Sequence, residues 1–118
     1  MKNVAIFGAG RIGRIHATNL VALPGVRLKY VSDPVATAAA DLAMQLGATV
    51  ATVEQVFADA EIDAVVIASS TNTHSDLLSR AAAAGKHIFC EKPIDLSIER
   101  VRACAGAVQA AGVACMIG

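Results

Sequence analysis

The chain has 118 residues, of which 55% are hydrophobic and 3% aromatic, and it contains no tryptophan. A domain of this length buries roughly two thirds of the surface of its unfolded chain, so we expect one domain that folds without disulfides or structural metals. Ten Lys and Arg residues balance ten Asp and Glu residues, which argues against nucleic acid or an anionic membrane as a partner.

The first predicted strand, residues 3–7, leads directly into a glycine-rich turn and then an alanine-rich helical pattern. In this turn Gly8 permits a tight bend, Gly10 lets the backbone approach a pyrophosphate, and Gly13 lets the helix pack closely on the strand. The first N–H groups of the helix would meet the phosphates. We therefore predict a dinucleotide site that includes Gly8, Gly10, Arg11, Ile12 and Gly13.

An acidic residue, Asp33, follows the second predicted strand, residues 27–31. It lies about 20 positions beyond the glycine turn, where a carboxylate can accept hydrogen bonds from both hydroxyls of an adenosine ribose and repels a 2′-phosphate. We expect Asp33 to favour NAD over NADP. The alternative interpretation is that Asp33 is the N-cap of the next helix, with Pro34 at its first position. One carboxylate could serve both roles.

Apolar runs alternate with helical patterns along the whole chain. Four further strands are predicted at residues 49–51, 64–68, 87–90 and 113–117, and glycines at positions 25, 47, 85 and 112 mark the ends of the helices between strands. This alternation is typical of a doubly wound (Rossmann) α/β fold: a six-stranded parallel sheet of order 3-2-1-4-5-6 with helices on both faces. We find no linker, so residues 1–118 form one dinucleotide-binding domain.

A polar segment, residues 69–74, follows the fourth predicted strand. In this strand order, ligands bind at the carboxyl ends of strands one and four, where the order reverses. Thr73 and Asp76 have the spacing of a capping box at the start of the next helix. We predict that the cofactor cleft includes Ser70, Thr71, Asn72 and His74. The alternative is that these side chains serve only turn and cap roles.

The triplet Glu91-Lys92-Pro93 follows the fifth predicted strand. A lysine at this edge could hydrogen-bond a substrate oxygen and stabilise the negative charge that develops as hydride leaves. Lys92 is therefore the predicted catalytic residue, and all three residues are predicted to line the nicotinamide end of the cofactor site. Taken alone, a lysine after a strand is usually a solvated surface group.

The last predicted helix carries one apolar face, and three cysteines lie in apolar patterns without the spacing of metal ligands. The face consists of Ile98, Val101, Ala105 and Val108, and the cysteines are Cys90, Cys104 and Cys115. We expect the cysteines to be buried free thiols and predict no metal site.

Together, the glycine turn, Asp33, the run Thr71-Asn72-Thr73-His74 and the run Glu91-Lys92-Pro93-Ile94-Asp95-Leu96 resemble the Gfo/Idh/MocA oxidoreductase family. The resemblance covers essentially the whole chain and is strongest to the inositol dehydrogenases. It implies hydride transfer from a carbinol of a small polyol, with myo-inositol as the expected substrate, to NAD. It also implies that Lys92 lies at the nicotinamide and substrate end and that Pro93 sets its backbone.

The family resemblance further implies a general-base histidine and an orienting aspartate in a second, sheet-bearing domain, which this chain lacks. Family members usually form homo-oligomers through that domain. We therefore expect NAD-dependent dehydrogenase activity from the full-length protein and no turnover by these 118 residues alone. The alternatives are a stand-alone NAD-binding sensor or partner module without catalysis, and a family dehydrogenase that acts on another sugar or uses NADP.

Neither a membrane anchor nor a signal peptide is predicted. No apolar run approaches the roughly 18 residues that cross a bilayer, and Met1 to Asn3 lead directly into the first strand. We therefore expect a cytoplasmic protein.

Overall fold

The structure is a computed structural model that describes all residues from 1 to 118. Strands and helices alternate along the chain: β1 (Lys2–Phe7), α1 (Arg11–Ala22), β2 (Val26–Ser32), α2 (Ala36–Leu46), β3 (Thr49–Val50), α3 (Val53–Ala58), β4 (Ala64–Ile67), α4 (Thr71–Ala83), β5 (His87–Cys90), α5 (Ile98–Ala111) and β6 (Cys115–Ile117). All strand pairs are parallel, in the order β3-β2-β1-β4-β5-β6. The predicted doubly wound fold is confirmed. None of the helices combines the length and apolar character needed to span a bilayer.

Two apolar layers lie on the two faces of the sheet. In β1, Ala5 and Phe7 face the layer formed with α3, α4 and α5, whereas Val4 and Ile6 face the layer formed with α1 and α2. Because helices cover both faces of β1 and β4, these strands are continuous apolar runs rather than alternating ones. Burial of each large side chain among them, Val4, Ile6 and Phe7, stabilises the fold by about 1.5–3 kcal/mol. The rigid centre of the sheet thus holds the loops at its carboxyl edge.

The edge strand β6 lies outside this core. Met116 is 64% exposed and Ile117 is 41% exposed. The prediction that all three cysteines are buried is wrong for Cys115, which is exposed, and correct for Cys90 and Cys104. The position of β6 at the edge of the sheet explains the difference. Burial raises the pKa of the Cys90 thiol to about 12, so this thiol stays protonated and unreactive at neutral pH.

The capping box predicted at Thr73 is wrong. Helix α4 begins two residues earlier, at Thr71, and the Thr73 hydroxyl donates instead to the Ser70 carbonyl at 2.7 Å. The capping box of this protein lies at the start of α3, where the Thr52 hydroxyl accepts from the Gln55 N–H at 3.1 Å and the Gln55 side chain accepts from the Thr52 N–H at 2.8 Å. This box fixes the chain just beyond the carboxyl end of β3.

Fewer residues of helix α5 are buried than its sequence pattern predicts. Of its residues only Cys104 is buried, and the predicted core residue Ile98 is 61% exposed. Val101 and Val108 are partly buried, and the helix ends at Gly112 in the left-handed conformation. Its contact with the core is therefore centred on Cys104, one helical turn beyond Val101.

Candidate functional site

The glycine turn joins β1 to α1, and its three glycines meet different surroundings. Gly8 has a φ of +107°, and a Cβ added there would lie 2.4 Å from the Ala68 carbonyl oxygen. A Cβ added at Gly13 would lie 1.9 Å from the Gly8 carbonyl oxygen. In contrast, a Cβ added at Gly10 would meet no protein atom within 4 Å. Packing therefore demands glycine at positions 8 and 13, whereas the space above Gly10 is open to a ligand.

The N-terminus of α1 is not capped by any protein side chain. Its N-cap is Gly10, and no acidic residue lies in its first turn. The N–H groups of the first helical turn have no partner within the helix, and they carry the positive end of the helix dipole. An uncapped helix start beside open space is a site for an anion such as a diphosphate. The predicted contacts at Arg11 and Ile12 belong to this helix start.

Asp33 lies at the carboxyl end of β2, beside the glycine turn. One carboxylate oxygen accepts a hydrogen bond from the Ala9 N–H at 2.7 Å, and the other accepts from the Val35 N–H at 2.7 Å. The N-cap of α2 is Val35 rather than Asp33, so the alternative interpretation of Asp33 as an N-cap is wrong. Because each carboxylate oxygen has two acceptor sites, both oxygens can also accept from a ligand.

A cleft of about 580 Å³ opens at the carboxyl edge of the sheet, between the ends of β1 to β4. Of the predicted site residues, Gly8, Asp33 and Asn72 line it. The Asn72 side chain is exposed and makes no hydrogen bond within the protein. Other polar residues also lie on its walls. Thr52, Gln55 and Arg80 had no predicted role, whereas Ser69 and Thr73 belong to the predicted polar segment and Asp76 to the predicted capping box.

The sequence did contain a pattern that could have predicted Thr52. The loop that contains Thr52 follows β3, and in a parallel sheet all carboxyl ends lie at one edge. Arg80 lies two turns into α4, where no loop argument reaches it. It lies 3.6 Å from Glu54 and 3.8 Å from Asp76, and its guanidinium lies 5.1 Å from the centre of the Phe57 ring.

The residues at the start of α4 divide between surface and interior. Ser70 is the exposed N-cap and Thr71 is the first helical residue, and neither lines the cleft. His74 is only 2% exposed. Its Nδ1 lies 2.8 Å from the Pro93 carbonyl oxygen and its Nε2 lies 2.9 Å from the Ser69 carbonyl oxygen. The structure therefore places the His74 ring behind the cleft wall.

The triplet Glu91-Lys92-Pro93 leaves β5 at the same sheet edge, beyond β4. The Glu91 carboxylate accepts from His16 Nε2, and the Lys92 side chain is exposed and makes no hydrogen bond or ion pair. The peptide bond between Lys92 and Pro93 is cis. None of the three residues lines the cleft between β1 and β4. They lie on the other side of β4.

A family model described as "Oxidoreductase family, NAD-binding Rossmann fold" matches residues 2–118. The chain belongs to the Gfo/Idh/MocA oxidoreductase family. As a family member it is an NAD-binding Rossmann domain, so the predictions of family, fold and cofactor are confirmed. The arrangement is compatible with this assignment, because the helix start beside Gly10 is uncapped and open and the Asp33 carboxylate retains free acceptor sites.

The family members most similar to this chain include inositol dehydrogenases. The chain is 48% identical over 113 residues to an inositol 2-dehydrogenase from Rhizobium meliloti, a match that covers 96% of this chain and 34% of that protein. It superposes on a myo-inositol dehydrogenase from Corynebacterium glutamicum with a TM-score of 0.91 at 44% identity, covering 100% of this chain and 36% of that one. A scyllo-inositol dehydrogenase from Lactobacillus casei, solved with NAD(H) and scyllo-inositol, superposes with a TM-score of 0.91 at 31% identity, covering 100% and 36%. The chain therefore spans about a third of the length of these relatives.

Proposed function

We propose that this chain is the cofactor-binding domain of an NAD-dependent dehydrogenase that oxidises a carbinol of a small polyol, with myo-inositol as the substrate. The observation that carries the proposal is the uncapped start of α1 beside open space at Gly10, with the Asp33 carboxylate 2.7 Å from the Ala9 N–H. The names of its relatives, which include myo- and scyllo-inositol dehydrogenases, support the substrate class.

In this proposal the residues of the glycine turn and of β2 hold the cofactor. The N–H groups at Arg11 and Ile12 bind the diphosphate above Gly10, and Asp33 accepts hydrogen bonds from the ribose hydroxyls. The Asn72 amide, which makes no hydrogen bond within the protein, is free to bind the same ligand. NAD supplies the hydride acceptor when it is bound.

Lys92 is the proposed catalytic residue. Its ammonium donates a hydrogen bond to the oxygen of the carbinol and stabilises the negative charge that develops there during oxidation. An exposed side chain with no partner in the protein is suited to this role, because a ligand does not have to break an existing ion pair.

Several sequence predictions stay part of this proposal. They are a second domain with the general base, a homo-oligomer of the full-length protein, and a cytoplasmic location without nucleic-acid or membrane partners. The balanced charge of ten basic and ten acidic residues supports the last of these. The roles of Ser70, Thr71, His74, Glu91 and Pro93 next to the cofactor stay predictions as well.

The ribose contact is tested by calorimetric titration of the chain with NAD and NADP. We expect NAD to bind more tightly, and we expect Asp33→Ala to weaken NAD binding about tenfold, because hydrogen bonds to a charged acceptor are lost. The same variant should reduce the difference in affinity between NAD and NADP, because it removes the carboxylate that repels a 2′-phosphate.

Asp41→Ala is the matched control. Asp41 is exposed on α2 and makes no hydrogen bond or ion pair, so its loss should leave both affinities unchanged. Equal affinity of the wild-type chain for NAD and NADP would contradict the role of Asp33. Absence of binding to either dinucleotide would contradict the proposed function.

A further inference from the structure

We propose that two histidines, His16 and His74, position Lys92 by holding the residues on either side of it from the two faces of the sheet. We call this arrangement, in which His16 binds Glu91 and His74 binds Pro93, the histidine clamp. This inference rests on the proposed function, because the clamp has a role in binding only if Lys92 contacts a ligand.

The first half of the clamp joins α1 to the end of β5. His16 Nε2 lies 2.5 Å from a Glu91 carboxylate oxygen, and the two side chains are 25% and 24% exposed. The imidazole also packs edge-on against Phe89, with ring centres 5.1 Å apart and an angle of 61° between the ring planes. The helix that begins at the glycine turn is thus linked directly to the residue before Lys92.

The second half joins α4 to the residue after Lys92. The His74 ring is 2% exposed and lies between two carbonyl oxygens, that of Pro93 at 2.8 Å and that of Ser69 at 2.9 Å. Carbonyl oxygens only accept hydrogen bonds, so any hydrogen bond to either of them is donated by a ring nitrogen. His74 therefore links the loop after β4 to the loop after β5.

The backbone between these contacts is also held. The Glu91 N–H donates to the Ile67 carbonyl at 2.9 Å, the Lys92 N–H donates to the Gly118 carbonyl at 2.9 Å, and Pro93 has no N–H. Only the Lys92 side chain is free of partners. A fixed backbone with a free ammonium is the arrangement that precise placement of one charged group requires, because small displacements of such a group are costly.

Binding of NADH and of ADP-ribose to the chain tests the clamp. ADP-ribose lacks the nicotinamide, so it reports on the glycine turn and Asp33, whereas NADH also reports on the end of the site near Lys92. We expect His16→Ala to weaken NADH binding about tenfold, because a Lys92 ammonium that is no longer held in place loses about the strength of one charged hydrogen bond at the nicotinamide end. Binding of ADP-ribose should change by less than about twofold.

A double-mutant cycle with Lys92→Met separates positioning from general damage. If His16 acts through Lys92, His16→Ala should have no further effect on NADH binding in the Lys92→Met background. His74→Leu should also weaken NADH binding. His16→Gln and His74→Asn each retain one N–H donor. His16→Gln should therefore recover part of the affinity lost in His16→Ala, and His74→Asn part of that lost in His74→Leu. His87→Ala is the matched control, because His87 lies at the amino end of β5.

The outcomes distinguish the clamp from the proposed function. Equal losses of NADH and ADP-ribose affinity in His16→Ala, or a loss that persists in the Lys92→Met background, would overturn the clamp. Normal NADH binding by Lys92→Met itself would also overturn it, because Lys92 would then not reach the nicotinamide end. A wild-type chain that binds neither ligand would overturn the proposed function as a whole.

Discussion

Single residues of the glycine turn are required for different physical reasons. Gly13 cannot carry a Cβ because that atom would lie 1.9 Å from a backbone oxygen, whereas Gly10 has no protein atom within 4 Å of the same position. The sequence motif predicts a packing role for Gly13 and a ligand-facing role for Gly10. The space found at the two positions agrees with that division.

This difference predicts opposite results from three alanine variants. Gly13→Ala should destabilise the fold by about 3 kcal/mol, at the upper end of the cost of overpacking. Gly10→Ala should fold but lose NAD affinity, because its Cβ enters the open space. Gly106→Ala, in the interior of α5 with nothing within 4 Å, should stabilise the fold by roughly 0.5–1 kcal/mol. Urea unfolding and NAD titration measure the three effects.

A folded Gly13→Ala chain of normal stability would contradict the packing argument, and normal NAD binding by Gly10→Ala would contradict the ligand argument.

His74 is a single residue whose orientation the sequence did not predict. The prediction located His74 beside the cleft from its position after β4. The direction of its ring depends on the Pro93 and Ser69 carbonyls, which only the folded chain brings together.

At the scale of elements, Asp59 connects the end of α3 to β2. Its carboxylate accepts from the Lys29 ammonium at 2.6 Å, the Tyr30 hydroxyl at 2.7 Å and the Glu61 N–H at 2.8 Å. These hydrogen bonds, with that from Lys29 the largest contribution, hold the pKa of the Asp59 carboxyl well below its usual range. The same contact raises the pKa of Lys29.

A lowered pKa in the folded state makes stability depend on pH. The contribution of Asp59 is present above the pKa of about 3.9 that Asp has in an unfolded chain, and it is lost as the pH falls below that value toward the folded pKa. We therefore expect the urea concentration at the midpoint of unfolding to decrease as the pH is lowered below about 4. In Asp59→Asn this decrease should be less steep. Asp41→Asn, on the exposed side of α2, should keep the wild-type profile, and an unchanged profile in Asp59→Asn would contradict the assignment.

The number and order of the elements followed from local pattern, and their caps did not. Each predicted strand overlaps an observed one, because apolar runs and glycines act locally. The capping box was predicted at Thr73 and occurs at Thr52, since the Thr73 hydroxyl bonds Ser70 and Ser69 instead. Several residues can offer a cap, and tertiary contacts decide which of them is used.

At the scale of the whole molecule, none of the three histidines is a free base beside the cleft. His16 is bonded to Glu91, His74 is buried between carbonyls, and His87 accepts from the Ala114 N–H at the amino end of β5. A general base must lie within hydrogen-bond reach of the proton that it removes. The chain therefore contains the cleft and Lys92, but it has no free imidazole beside the cleft.

We accordingly expect no turnover of myo-inositol by these 118 residues, even when NAD binds. The measurement is NADH absorbance in the presence of NAD and myo-inositol, with a buffer blank. A rate above the blank that disappears in Lys92→Met would show that the chain contains its own base and would contradict this expectation.

The sequence by itself determined the glycine turn, the acidic residue after β2 and the family, because periodicity and short motifs are local properties of the chain. The sheet order followed from the fold class that these features indicate. Only the tertiary structure decided which further residues complete the walls of the cleft and where side chains point. Arg80 and Thr52 are far apart in sequence and line one cleft, and His16 meets Glu91 across 75 positions. Such contacts depend on how separate elements pack, and no local pattern encodes them.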